Sequence, residues 1–148
     1  MDPIEGDHLG TAEREWIMAT LKPLCGGRVW KTAVPDGVTL GSEVDGTIPV
    51  YIIVRFARPL AIRSGRNIGT GEKGQPHQLS FTVLVVGGDA DDVEATLTAA
   101  TDLLEDARPS LTSNRIEARG GFGYGNTEAG SRPTRIEEAG FFRTVINI

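Results

Sequence analysis

Gly69-Thr-Gly-Glu-Lys-Gly74 has the spacing G-x-G-x-x-G, the turn in which backbone N–H groups at the mouth of a helix hold a pyrophosphate. That geometry needs a strand before the turn and a helix after it. Here a strand-like run from Gln78 to Val86 follows, so a loop tip is the better reading. Asp89, Asp91, Asp92 and Glu94 have the charge for a cation site but lack the sixth-position glycine and distal glutamate of a calcium loop. Their place at the start of a helix fits capping instead. His8 and His77 are the only histidines, and neither sits beside a nucleophile motif; no G-x-S-x-G or H-E-x-x-H occurs. The single cysteine, Cys25, cannot form an internal disulfide, has no neighbouring ligand for a thiolate metal site, and reads as a buried, inert thiol. The residues point to no catalytic set, metal or cofactor.

The elements that would position any site follow from periodicity. Asp7 to Leu24 reads as a helix with Leu9, Ala12, Trp16, Thr20 and Leu24 near one face and Ile17 and Leu21 widening it. Pro23 and Gly26-Gly27 end it. A short strand is expected over Arg28 to Val34, stopped by Pro35-Asp-Gly37. In Pro49-Val-Tyr-Ile-Ile-Val-Arg-Phe56, Val50, Ile52, Val54 and Phe56 share one face, while Tyr51, Ile53 and Ala57 make the other nearly as apolar. Apolarity on both sides marks a central strand or one touching another subunit. The next strand, Gln78 to Val86, aligns Leu79, Phe81, Val83 and Val85. The connection between them, about twenty residues of serine, glycine and charge, far exceeds the usual loop of roughly two to six. It reads as a binding or assembly element.

A second helix opens at Asp89, with Asp91 and Glu94 spaced as a capping box and Val93, Leu97, Ala100 and Leu104 forming one stripe, and stops at Arg108-Pro109. Beyond it come a weak strand near Arg115 to Ala118, the glycine-rich run Gly120 to Gly125, and a closing strand from Gly140 to Ile146. That glycine run reads as a loop or as an arm that orders on a partner, with Phe122 and Tyr124 as anchors. No repeat or domain boundary appears. Residues 1–148 form a single α+β domain, an antiparallel or mixed sheet with two helices packed on it and a long β-hairpin loop. No apolar run approaches the ~20 residues of a bilayer span, and the first residues lack the features of a signal peptide, so cytosolic synthesis is expected.

The net charge of −5 weighs against a sequence-reading nucleic-acid binder. Its distribution is uneven. Arg55, Arg58, Arg63, Arg66 and Lys73 face one acid, Glu72, in their stretch, whereas Asp89 to Asp106 holds seven acids and no base. Three readings are open: two solvated faces, arginines that touch phosphate, or a head-to-tail contact in which Arg58, Arg63, Arg66 and Lys73 meet Asp102, Glu105 and Asp106 of a neighbour. The Tyr51 and Ile53 face is the alternative interface.

The leading helix, Pro49-Val-Tyr-Ile-Ile-Val-Arg-Phe-Ala-Arg-Pro59, the long loop, Gln78-Leu-Ser-Phe-Thr-Val-Leu-Val-Val-Gly-Gly-Asp89 and the helix through Leu103-Leu104 resemble the tail terminator, or tail completion, proteins of long-tailed bacteriophages. The resemblance runs roughly from Glu13 to Phe142. It implies a non-enzymatic virion protein, made in the bacterial host cytoplasm, that forms a ring, typically a hexamer, at the head-proximal end of the tail tube. Such a ring ends tube polymerisation and offers the surface that joins the head. The implied partners are further copies of the chain, the major tail tube protein and the head-tail connector or neck protein, with genomic DNA passing through the lumen without sequence-specific binding and no membrane. A neck or head-completion protein and a small-ligand-binding α+β domain are the rival readings. The resemblance and the composition together predict that Ser64 to Pro76 orders on assembly, so amide exchange there should slow when the ring forms; equal protection in free and assembled protein would refute this.

Overall fold

The computed structural model describes residues 9–38, 48–62, 76–126 and 135–147, with side chains described except over 121–126. Helix α1 spans Thr11–Leu21 and is entered through Gly10 at φ +88°. It is shorter than the periodicity suggests. Pro23 has no N–H to bond back into the helix, and a 3₁₀ turn at Leu24–Gly27 with Cys25 and Gly26 at positive φ follows. Its buried line is Glu13, Ile17 and Leu21, spaced by four, while Ala12 is exposed. The face is therefore rotated from the expected one, because the long apolar side chains outweigh a single methyl in choosing what to bury.

Strand β1, Val29–Lys31, is cut short where Thr32 takes φ +76° and Ala33 N–H turns back onto the Lys31 carbonyl at 2.8 Å. β2 is Tyr51–Phe56, β3 Leu60–Ala61, β4 His77–Gly87, β5 Glu117–Asn126 and β6 Ile136–Ile146. They form one sheet in the order β1-β2-β4-β6-β5, with β3 beside β4. β1 runs parallel to β2, with Val29 opposite Ile52, and the other pairs are antiparallel. The protein is thus an α+β fold with a mixed, open sheet.

The described part of the connection from β2 to β4 includes a further strand pairing. β3 pairs with Gln78 and His77, and Ile62 N–H donates to the Pro76 carbonyl at 2.9 Å, so the hairpin continues past Pro59. Residues 63–75 lie outside the described residues. The glycine-rich run is not the expected loop. β5 passes through it to Asn126 and pairs with β6, which starts at Ile136 rather than Gly140. Gly120 at φ +102° and register shifts at 118/121 and 122/125 absorb the irregularity, as bulges do at a sheet edge.

One face of the sheet carries the main core. Leu79, Phe81, Val83 and Val85 of β4, Ile52 and Val54 of β2 and Phe142 of β6 are buried on the side of the two helices. Phe56, Phe81 and Phe142 form a row across three strands, with ring centroids 5.7 and 5.3 Å apart. Gly140 lets α2 approach; a Cβ there would lie 3.2 Å from Leu97 Cδ1. The opposite face has a smaller cluster of Tyr51, Ile53 and Val86 with Trp30, Val34, Ile48 and Leu84. Two-sided apolarity in β2 thus goes with its central place between β1 and β4.

α2 spans Ala90–Leu104, and its expected stripe is buried at Val93, Ala100 and Leu104, with Leu97 packed against the core. The cap differs from the expected box. Asp89, extended at φ −130° and ψ 127°, is the N-cap and accepts from Asp92 N–H at 3.2 Å, whereas Asp91 is already helical. We expect Asp89→Ala to cost about 1 kcal/mol in urea unfolding, and Asp91→Ala less, since only Asp89 satisfies an orphan N–H. α2 ends before Arg108-Pro109 because the chain leaves it at Glu105, extended, and Asp106, at φ +69°. Asp106 N–H then donates to the Ile116 carbonyl at 2.9 Å. Glu13, 3% exposed, accepts from Ser110 Oγ at 2.5 Å and ties α1 to this exit. A buried carboxylate requires such a donor.

Candidate functional site

Strand alternation sends every second side chain of β4 to the helix-free face, so Gln78, Ser80 and Thr82 sit opposite the buried set Leu79, Phe81 and Val83. Register then selects their neighbours. Ser80 pairs with Arg143, Thr82 with Phe141 and with Arg55, and Arg143 in turn with Glu117. Gln78, Ser80, Thr82 and Phe141 line a cavity of 260 Å³ on the sheet together with Arg55, Arg119 and Arg143.

The arginines are held to different degrees. Arg143 Nε donates to Glu117 Oε1 at 3.0 Å and its Nη1 to Gln78 Oε1 at 3.1 Å, while Gln78 Nε2 donates to Ser80 Oγ at 3.1 Å. Arg119 Nη1 lies 3.8 Å from the same Glu117 oxygen. Among the described residues Arg55 reaches only the Thr32 carbonyl, through Nε at 3.4 Å. Among the described residues one carboxylate thus serves two cations, and Arg55 adds a third. The cavity keeps an excess of positive charge and of N–H and O–H donors, which suits an anionic oxygen.

Negative charge collects on the other layer. α2 exposes Asp91, Asp92, Glu94 and Asp102, and Glu105 and Asp106 are exposed just beyond it. Burial, and then the charge of Glu94, push the Glu138 carboxyl above its usual range. Glu138 shares the helix side of β6 with Gly140 and Phe142, whereas Arg143 and Phe141 belong to the alternate set.

The expected site residues are only partly brought together. Arg58 is exposed in the link between β2 and β3, and Asp102, Glu105 and Asp106 are exposed at the end of α2, although Glu105 and Asp106 fall outside the helix. Arg63, Arg66 and Lys73 lie outside the described residues. Tyr51 and Ile53, at 4% and 5% exposure, are covered by the chain itself and present almost no surface. Phe122 and Tyr124 fall in β5, an edge strand rather than a free arm. The Cys25 thiol is only half-buried, and desolvation pushes its pKa up despite Arg28. Among the described residues no three His, Cys, Asp or Glu gather as metal ligands, and no helix is long and apolar enough to cross a membrane.

Arg119, Arg143 and Gln78 were not legible as site residues. The alternation Gln78-x-Ser80-x-Thr82 was the available signal for a polar face, but Arg143 joins it only through strand pairing 63 residues away from Ser80, as the register of β4 and β6 sets it.

No family model matches the chain, and no curated protein matches it. Among solved structures it shares its fold with a chain of the "Virion of native gene transfer agent (GTA) particle", at 18% sequence identity and a TM-score of 0.54. The similarity covers 99% of this chain and 100% of that one.

Proposed function

We propose that this protein is a structural component of a phage-like virion, a tail terminator that forms a ring at the head-proximal end of the tail tube. The observation that carries the reading is the end-to-end fold match with a chain of a gene transfer agent virion particle. Its full coverage of both chains supports a shared building block rather than a shared motif. The resemblance of the helix, long hairpin and second-helix order to tail terminators supports the finer role.

The surface supports it physically. A monomer with cations on the sheet face and at the hairpin, and acids on and beside α2, has complementary patches at different positions, and such patches favour a head-to-tail contact that closes into a ring. In this reading six copies close the ring, the tube protein docks on one side and the connector or neck protein on the other, and DNA passes through the lumen. An overall charge of −5 suits a passage that must not hold DNA, because tight phosphate binding would hinder ejection. The protein performs no catalytic step.

Electron microscopy of the purified protein mixed with tail tubes tests the proposal. Tubes should carry a ring at one end only and stop growing there when tube protein is added. Tubes that elongate unchanged from both ends would overturn the terminator role. Rings found only on the connector would reassign the chain to the neck.

A further inference from the structure

The cavity on the helix-free face is lined by Arg55, Arg119 and Arg143, and Arg58 is not among the described residues that line it. Two of its three guanidinium groups, those of Arg119 and Arg143, share one carboxylate, Glu117, and among the described residues Arg55 has no carboxylate partner. On the opposite layer Leu97 of α2 packs at Gly140 of β6, and the charge of Glu94, one turn before Leu97, bears on Glu138, two residues before Gly140. One feature has cations in excess and the other has acids in excess.

They cannot satisfy each other within one chain. Glu138 and Arg143 are five positions apart on β6, an odd separation that puts them on opposite faces of the sheet, and roughly 17 Å apart along the strand. α2 covers the Glu138 side and the cavity opens on the other. A second copy meets the requirement.

We propose that the Arg55, Arg119 and Arg143 cavity is a carboxylate-binding site whose occupant is the Glu94 and Glu138 pair of a second copy of this chain. The inference rests on the ring reading and identifies a contact within it. Arginine suits the task because its planar fork can take a carboxylate through two parallel N–H donors. A cavity of 260 Å³ has room for carboxylate groups, and Phe141 in its lining gives their methylene stems an apolar surface. Each subunit donates its acids to one neighbour and its cavity to the other, so the contact is heterologous.

Paired charge reversal tests this by sedimentation velocity over a range of concentrations at low salt. Arg55→Glu with Arg119→Glu changes two exposed residues, so the fold should survive; circular dichroism checks it. Glu94→Arg with Glu138→Arg makes the complementary change. Each double variant alone should need about tenfold more protein to associate, because like charges then face each other. An equimolar mixture should associate as the parent does, since alternating subunits restore opposite charges at every contact. If Glu138→Arg disturbs folding, Glu94→Arg alone replaces it, with a smaller shift and the same rescue.

A cavity variant that associates as well as the parent, or a mixture that is not rescued, overturns the pairing while leaving the ring intact. Loss of duplex DNA affinity with unchanged association would make the cavity a phosphate site and also overturn it. A parent that stays monomeric alone and on tail tubes would remove the ring reading itself.

Discussion

Phe81→Ala is expected to lower the unfolding free energy by about 3–5 kcal/mol, the usual cost of deleting a buried aromatic and leaving a cavity. Phe81 is 3% exposed on β4, the strand that pairs with both β2 and β6. Its ring lies 5.7 Å from Phe56 and 5.3 Å from Phe142, nearly parallel to the latter at 14°. Truncation therefore removes contacts on both flanks at once. Neighbouring strands cannot close the gap without breaking the ladder that holds them. A domain of this size has a total stability of about 5–15 kcal/mol, so the loss should shift the melting temperature by on the order of 10 °C. Leu111→Ala supplies the control: Leu111 is 94% exposed, and its removal should stay within about 0.5 kcal/mol. Thermal and urea unfolding followed by circular dichroism decide the matter. Equal costs for the two variants would mean that the aromatic row is not part of the core.

Arg63→Glu combined with Arg66→Glu should shift the assembled protein toward monomer at low salt. Both residues are cations that follow the exposed Arg58 within a few positions of sequence. Exposed pairs contribute only about 0 to 1 kcal/mol each, so single alanines should do little, while reversal converts attraction into repulsion at several points. Asp102→Lys with Glu105→Lys should restore assembly in part, and high salt should weaken the parent ring by screening. Sedimentation that finds the double reversal assembling as well as the parent would refute this pairing. The Tyr51 and Ile53 face would not then take its place, because the chain already buries it. The cavity on the helix-free face would be the remaining contact, and its own charge-swap variants separate the two.

Much of the fold was legible because the signals are local. The stripe of Val93, Leu97, Ala100 and Leu104 repeats within one helix, and the alternation of Leu79, Phe81, Val83 and Val85 within one strand; each needs only its own backbone period to define a buried face. Where a local rule depended on a weak residue or an ambiguous terminus, it slipped. Ala12 did not define the α1 face, and Asp89 rather than Asp91 became the cap because a cap must be the extended residue just outside the helix.

By itself the sequence determined an α+β chain with two amphipathic helices, a long basic hairpin and a separate acidic stretch, since composition and periodicity need no knowledge of distant partners. Tertiary structure alone decided the rest. Parallel pairing of β1 with β2, the burial of Glu13 against Ser110, and the continuation of a glycine-rich run as β5 all depend on a partner supplied from elsewhere in the chain. The candidate site belongs to the same class. Arg143 lies opposite Ser80 and reaches Gln78 and Glu117 because β6 lies between β4 and β5 in one particular register, and a one-residue slip of β6 would turn Arg143 to the face away from them.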